Sequence, residues 1–170
     1  MATFDVKGSF KVPMLRLKTG INVIDEDKER MSEFWDETEI RERKGCYVFA
    51  IKAAKGYTPI YVGRASTSRF DSEVFNARNL KNCNRALAER SKGALHVFLL
   101  PVRKTKGKLN RSHIALVEEY LIGHAARKNK DLINARLLPS DPWTITGLVN
   151  SGKGQPPIQT QVLKRALGIS

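Results

Sequence analysis

The sequence is short of several things, and each shortage removes a class of protein. Only two cysteines, Cys46 and Cys83, occur in 170 residues. They show no CxxC spacing, so neither a disulfide framework nor a thiolate metal site is expected. No apolar run approaches the ~18 residues that cross a bilayer, and the opening stretch from Met1 to Lys18 lacks the apolar core of a signal peptide. A reducing, cytoplasmic setting and no membrane partner are the expectations that follow. The three histidines, His96, His113 and His124, form no HExxH pair. His96 alternates within an apolar strand, and all three read as core or surface residues rather than ligands. No Ser-His-Asp or Cys-His spacing stands out, and there is no internal repeat or low-complexity tract. Gly147, Gly152 and Lys153 almost spell a phosphate-binding loop. However, Gly154 stands where Ser or Thr should hold Mg²⁺, and Pro156 and Pro157 discourage the helix that should follow.

Acidic residues are scarce too, and unevenly so. The net charge is +13. Residues 1–44 carry 9 Lys/Arg against 10 Asp/Glu, whereas residues 45–170 carry 21 against 7. The whole excess sits in the second part, which is the electrostatic footprint of a polyanion partner, most simply nucleic acid. The alternative is a basic solvated surface that binds nothing in particular.

What is present reads as an α/β (α+β) chain. Residues 1–44 form an irregular or strand-like arm, broken at Pro13 and Gly20, followed by a charge-dense helix from Asp25 to Lys44. Met31, Phe34 and Trp35 fall at i, i+3 and i+4 there, one apolar stripe suited to covering a sheet. Gly45 to Arg69 predicts a β-hairpin: CYVFAIK and PIYVG are short, apolar and β-prone, and AAKGYT between them carries turn chemistry. Residues 70–91 read as helical with a break over Asn76–Asn84. Ala94 to Arg103 is the strongest strand, ended by Pro101. The loop after it is basic, and Lys104, Lys106, Lys108 and Arg111 are natural phosphate contacts, as are Lys81 and Arg85 before it. The best helix runs from Ser112 to Lys128, capped by Ser112 or Asn110, with Arg127 and Lys128 suiting its C-terminal end. A short apolar segment (LINARLL), a further strand in DPWTITGL, a loop (SGKGQPP) and a small helix from Gln159 to Leu167 complete the chain.

One carboxylate breaks the pattern. With Ile114 at zero and about 100° per residue, Val117, Leu121 and Ala125 define a buried stripe centred near 0°. Glu118 falls at about 40°, inside that stripe, and Glu119 at about 140°, outside it. A carboxylate among apolar neighbours is costly unless a cation, a metal or a hydrogen-bond network offsets it. A salt bridge to a buried arginine is the purely structural account.

Taken together, these residues resemble the GIY-YIG nuclease family. Cys46-Tyr47-Val48, after Gly45, stands where the first triplet would be, and Tyr61-Val62-Gly63 where the second would be, separated by Phe49 to Ile60. Glu118-Glu119-Tyr120-Leu121-Ile122 matches the family's Glu-x-x-Leu-Ile at Glu118, and Asn134 in Leu132-Ile133-Asn134 matches the asparagine after that helix. The order strand–strand–helix–strand–helix agrees. The resemblance spans about residues 45–136, most like a little-characterised bacterial branch, with residues 1–44 and 137–170 as an N-terminal arm and helix and a C-terminal extension packed on the same domain. Asp71 occupies the family's usual arginine position, so Arg69 or Arg64 would take its place.

The resemblance implies a small, mostly antiparallel central sheet flanked by helices, and a Mg²⁺- or Mn²⁺-dependent endonuclease whose partner is nucleic acid, most simply DNA. Phosphodiester hydrolysis needs a positioned water, charge neutralisation on the phosphate and help for the leaving oxygen. Glu118 alone would be the protein ligand of the metal, and Arg69 or Arg64 would grip the non-bridging oxygens. Tyr47 and Tyr61 would orient or deprotonate water, Tyr47 being the better candidate for a base, and Lys81 would take a supporting role. Two rivals stand beside this reading: a catalytically decayed nucleic-acid-binding module on the same fold, and a protein-interaction adaptor built on residues 1–44.

Overall fold

The chain runs in the order β1 (Thr3–Phe4), β2 (Lys7–Lys11), β3 (Met14–Arg16), β4 (Asn22–Ile24), α1 (Lys28–Thr38), β5 (Gly45–Ala53), β6 (Gly56–Ala65), α2 (Phe70–Glu73), α3 (Ala77–Ala88), β7 (Ala94–Pro101), α4 (Arg111–Lys128), β8 (Thr144–Ile145) and α5 (Ile158–Leu167). This computed structural model describes residues 2–90, 92–103, 109–135, 144–148 and 156–169. The fold is α+β: a four-stranded antiparallel sheet in the order β2-β7-β5-β6, with helices on both faces. β1 pairs with β8 and β3 with β4 in two further ladders.

The hairpin forms as its sequence predicts. β5 and β6 close on the Ala53–Gly56 pair around the turn at Ala54–Lys55, with Gly56 at a φ of +102° that a side chain would strain. β5 lies between β6 and β7, and its residues Gly45 to Ile51 are all buried, the continuous apolar run of a strand covered on both faces. The two faces collect different helices. Cys46, Val48, Ala50, Val62 and Phe98 share a core with Ile114, Val117 and Leu121 of α4 and Leu163 and Ala166 of α5. Tyr47, Phe49, Ile51 and Val97 share another with Phe34 and Trp35 of α1 and Cys83, Ala86 and Leu87 of α3.

Helix ends follow local chemistry. Asp27 caps α1 by accepting from the N–H groups of Glu29 and Arg30, each at 3.1 Å. α4 starts at Arg111, and Asn110 is its cap, Oδ1 accepting from Ser112 N–H at 2.9 Å. Ile114, Val117, Leu121 and Ala125 are fully buried, as the helical wheel requires. No described helix is long and apolar enough to cross a membrane.

One expectation is corrected. The helical break in 70–91 falls at Val74–Asn76, not over Asn76–Asn84. The Asn76 side chain accepts from Asn79 N–H at 2.9 Å and so starts α3 instead of ending it. Asn84 stays inside α3 because its Oδ1 accepts from Ile24 N–H at 2.8 Å, satisfying it against another element. Within the strand-like arm of residues 1–44, β2 is hydrogen-bonded to β7 as one edge of the central sheet. The further strand expected in DPWTITGL is present among its described residues at Thr144–Ile145 and pairs with β1. Residues 141–143 of that segment, Gly152 and Lys153 of the phosphate-loop-like stretch, and Lys104, Lys106 and Lys108 lie outside the described residues.

Candidate functional site

Strand register assembles the site. Across the hairpin Tyr47 pairs with Gly63, Cys46 with Arg64 and Phe49 with Tyr61. Paired residues project to one face, and neighbours along a strand to opposite faces. The Tyr47 ring therefore lies over Gly63, where an added Cβ would come within 2.3 Å of Cζ and 2.4 Å of the hydroxyl oxygen. It sits beside Tyr61, with ring centroids 6.3 Å apart and planes inclined at 37°. Both phenols belong to the face that carries α3. Arg64, paired with the Cys46 that packs under α4, belongs to the other face. Glu118 of α4 meets it there, with Arg64 Nε 3.4 Å from Oε2.

The carboxylate that broke the apolar stripe is thus offset by a cation, and neither partner is sealed: the Glu118 side chain is 18% exposed and that of Arg64 41%. Its field reaches both faces of the hairpin. Burial first, then the Glu118 charge, pushes the Tyr61 phenol up, while Arg78 acts in the opposite direction. The Cys46 thiol is pushed well up by burial and by Glu118, so it stays protonated and offers no thiolate ligand.

The two tyrosines are not equivalent. Tyr47 is 1% exposed, and its hydroxyl accepts from Asn79 Nδ2 at 2.7 Å. The same amide donates to the carbonyls of Glu73 at 3.0 Å and Val74 at 3.1 Å, tying the phenol to the corner between α2 and α3. Burial, and next the neighbouring Tyr61, hold the Tyr47 phenol far above its ordinary range. This corrects its assignment as the better base: a sealed phenol that keeps its proton can orient a neighbour but cannot abstract a proton from water. Tyr61, half-buried, is the phenol that solvent reaches.

The arginines also sort differently from expectation. Arg69 is engaged elsewhere, with Nη1 3.2 Å from Glu42 and Nη2 3.0 Å from Asp71. Arg64 is the guanidinium at the carboxylate. Arg78, to which the sequence reading gave no role, is the one whose charge bears on Tyr61. A helical signal for it existed: Arg78, Lys81 and Arg85 recur at i, i+3 and i+7, one exposed stripe of α3. None of the three joins an ion pair among the described residues. Arg85 also borders a cleft of about 510 Å³ shared with Ile60, Arg90 and Asp131. Arg111 is exposed at the start of α4.

Asn134 holds the outer strand. Its Oδ1 accepts from Val62 N–H at 3.2 Å and its Nδ2 donates to Val62 C=O at 2.6 Å. Ile133 N–H donates to Ile60 C=O at 3.0 Å, and Asn129 Nδ2 to Pro59 C=O at 2.7 Å. The segment from Asn129 to Asn134 thereby covers the free edge of β6 next to Tyr61 and Gly63. Asn134 is a positioning residue, with both ends of its amide spent on the backbone.

A divalent cation fits this centre in one way. Mg²⁺ prefers oxygen ligands, keeps several waters and takes as few as one carboxylate, and Glu118 is a partly exposed carboxylate of that kind. Among the described residues no group of three or more His, Cys, Asp or Glu side chains gathers, at Glu118 or at any other place. Comparison with family models, curated proteins and solved structures finds no match for the chain.

Proposed function

We propose that the chain is a Mg²⁺- or Mn²⁺-dependent DNA endonuclease with a GIY-YIG-type centre, acting in the cytoplasm. The observation that carries this reading is the 3.4 Å pair between Glu118 of α4 and Arg64, which lies three residues after Tyr61 on β6 and on the other face from the Tyr47–Tyr61 pair, with the Glu118 and Arg78 charges both bearing on the solvent-reached phenol. The chain order supports it as well: a hairpin, two helices, a third strand beside the first, then the helix with the carboxylate.

Each residue has a defined task. Tyr61 keeps its proton and orients water by hydrogen bonding, backed by Tyr47 and, behind that, Asn79. Arg78 and Arg64 neutralise the non-bridging phosphate oxygens. Arg64 can turn to the substrate once Glu118 has another partner. Glu118 would hold the cation, which when bound supplies charge neutralisation at the phosphate and the leaving oxygen. The exposed stripe Arg78, Lys81 and Arg85 binds the backbone of the same nucleic acid.

Nicking of supercoiled plasmid in Mg²⁺ or Mn²⁺ tests the proposal. Glu118→Gln should lose at least about 100-fold in rate while still binding DNA. Equal rates for the wild type and Glu118→Gln, or no cleavage with either metal, would overturn it. The sealed Tyr47 and the engaged Arg69 favour a second reading, a binding module without cleavage. It predicts salt-dependent binding that Glu118→Gln leaves unchanged.

A further inference from the structure

A second hollow, about 310 Å³, lies at the turn end of the hairpin, lined by Lys55, Gly56, Tyr57, Lys128, Val162 and Arg165. Three separate elements deliver its cations: the β5–β6 turn gives Lys55, the last residue of α4 is Lys128, and the last turn of α5 gives Arg165. Among the described residues no carboxylate lines it, and none of the three cations joins an ion pair.

The helix dipole accounts for two of them, since a cation at a C-terminal end is favourable. It does not account for Lys55, which sits on an exposed turn and gains nothing from facing two like charges. A Cβ at Gly56 would meet nothing within 4 Å, so the backbone there lies open to approach. Val162 gives an apolar wall. Tyr57 gives an aromatic one, fixed by a 2.7 Å hydrogen bond to Ser9 Oγ and by edge contacts to His96 and Phe98. Lys52 Nζ lies 5.5 Å over the same ring and adds a fourth positive charge nearby.

Converging Lys and Arg side chains and an open glycine, with no acid among the described lining residues, make up the chemistry of phosphate recognition. The volume is at the small end for ligand pockets, which suits one nucleotide-sized group and not a duplex groove. We propose that this hollow binds a phosphate-bearing ligand of about the size of one nucleotide. It is distinct from the Glu118 centre: Lys128 lies ten residues beyond Glu118 on α4, about 15 Å along the helix axis. The inference does not depend on the chain being a nuclease.

The test is thermal unfolding of the full chain in inorganic phosphate, against sodium chloride at equal ionic strength. Phosphate should raise the midpoint beyond chloride. Lys55→Ala with Arg165→Ala should weaken the apparent phosphate affinity at least about tenfold, and Lys18→Ala, remote from the hollow, should leave it unchanged. Equal protection by chloride, or an unchanged affinity in a double variant with wild-type circular dichroism, overturns the proposal. Should the double variant not fold, Lys55→Gln at the exposed turn decides in the same way. Competition identifies the source of the phosphate: displacement by an unphosphorylated oligonucleotide assigns a strand's backbone, and displacement by a mononucleotide alone assigns a free nucleotide. The readout involves no cleavage, so this proposal and the nuclease reading can fail separately.

Discussion

Gly63 and Tyr47 show how closely single residues are fitted at the centre. The ring of one occupies the space a side chain on the other would need, so Tyr47 keeps its position only while residue 63 is glycine. Gly63→Ala forces the ring or the strand to move, and we expect a loss of about 2 to 3 kcal/mol, read from the urea midpoint. A second single-residue effect depends on pH. Burial, then the charges of Lys52 and Lys11, hold His96 down at about 4, and its Nδ1 is buried without a hydrogen-bond partner. In the unfolded chain a histidine titrates near ~6.5. Between those values the unfolded chain binds a proton that the folded chain does not, so stability is fully present above the unfolded value and is lost as pH falls toward the folded one. The loss should be on the order of 1 to 2 kcal/mol after allowance for solvent screening. Urea midpoints at about pH 5 and pH 7 measure it, and His96→Leu should flatten the dependence.

Among the elements, β6 carries both halves of the site on an outer strand, a position that normally frays or pairs with another chain. The segment after α4 prevents this by hydrogen-bonding Pro59, Ile60 and Val62 in turn. Asn134→Ala would strip both bonds from the Val62 peptide at once. We expect about 1 to 3 kcal/mol of destabilisation and faster hydrogen exchange of the Val62 amide, with little change at β7, which is paired on both sides. Helix α3 serves the opposite face through two asparagines. Asn76 opens the helix, and Asn79 three residues later holds Tyr47 in place, so the start of α3 is coupled to the phenol it covers.

For the whole molecule, charge and architecture are arranged together. Residues 1–44, with 9 basic against 10 acidic residues, supply β2 at one edge of the sheet, and the candidate site lies along β6 at the other. On the proposed reading a polyanion would be drawn to the β6 side, where Arg64 and the α3 stripe are exposed. If those cations contact phosphates, Arg78→Ala with Lys81→Ala should reduce the slope of log affinity against log salt by about 1.8 for duplex DNA, roughly 0.9 per contact. Fluorescence anisotropy over a salt series measures it, and an unchanged slope would remove α3 from the interface.

Much of this was legible because it is local. The hairpin, the buried face of α4, the anomaly at Glu118 and the one-sided charge follow from period-2 and 3.6 patterns and from counting, which depend only on near neighbours in the chain. Which arginine faces which partner does not follow from them. Arg69, Arg64 and Arg78 all stand near the second tyrosine in the sequence or on the next helix, and only packing sends the first to Glu42 and Asp71 and the second to Glu118, and leaves the charge of the third to bear on Tyr61. The sealing of Tyr47, the backbone task of Asn134 and the enrolment of β2 in the sheet were likewise decided by the tertiary structure. Each depends on what a distant element lays over a residue. Burial and partner choice are set by that covering surface, and no local pattern encodes it.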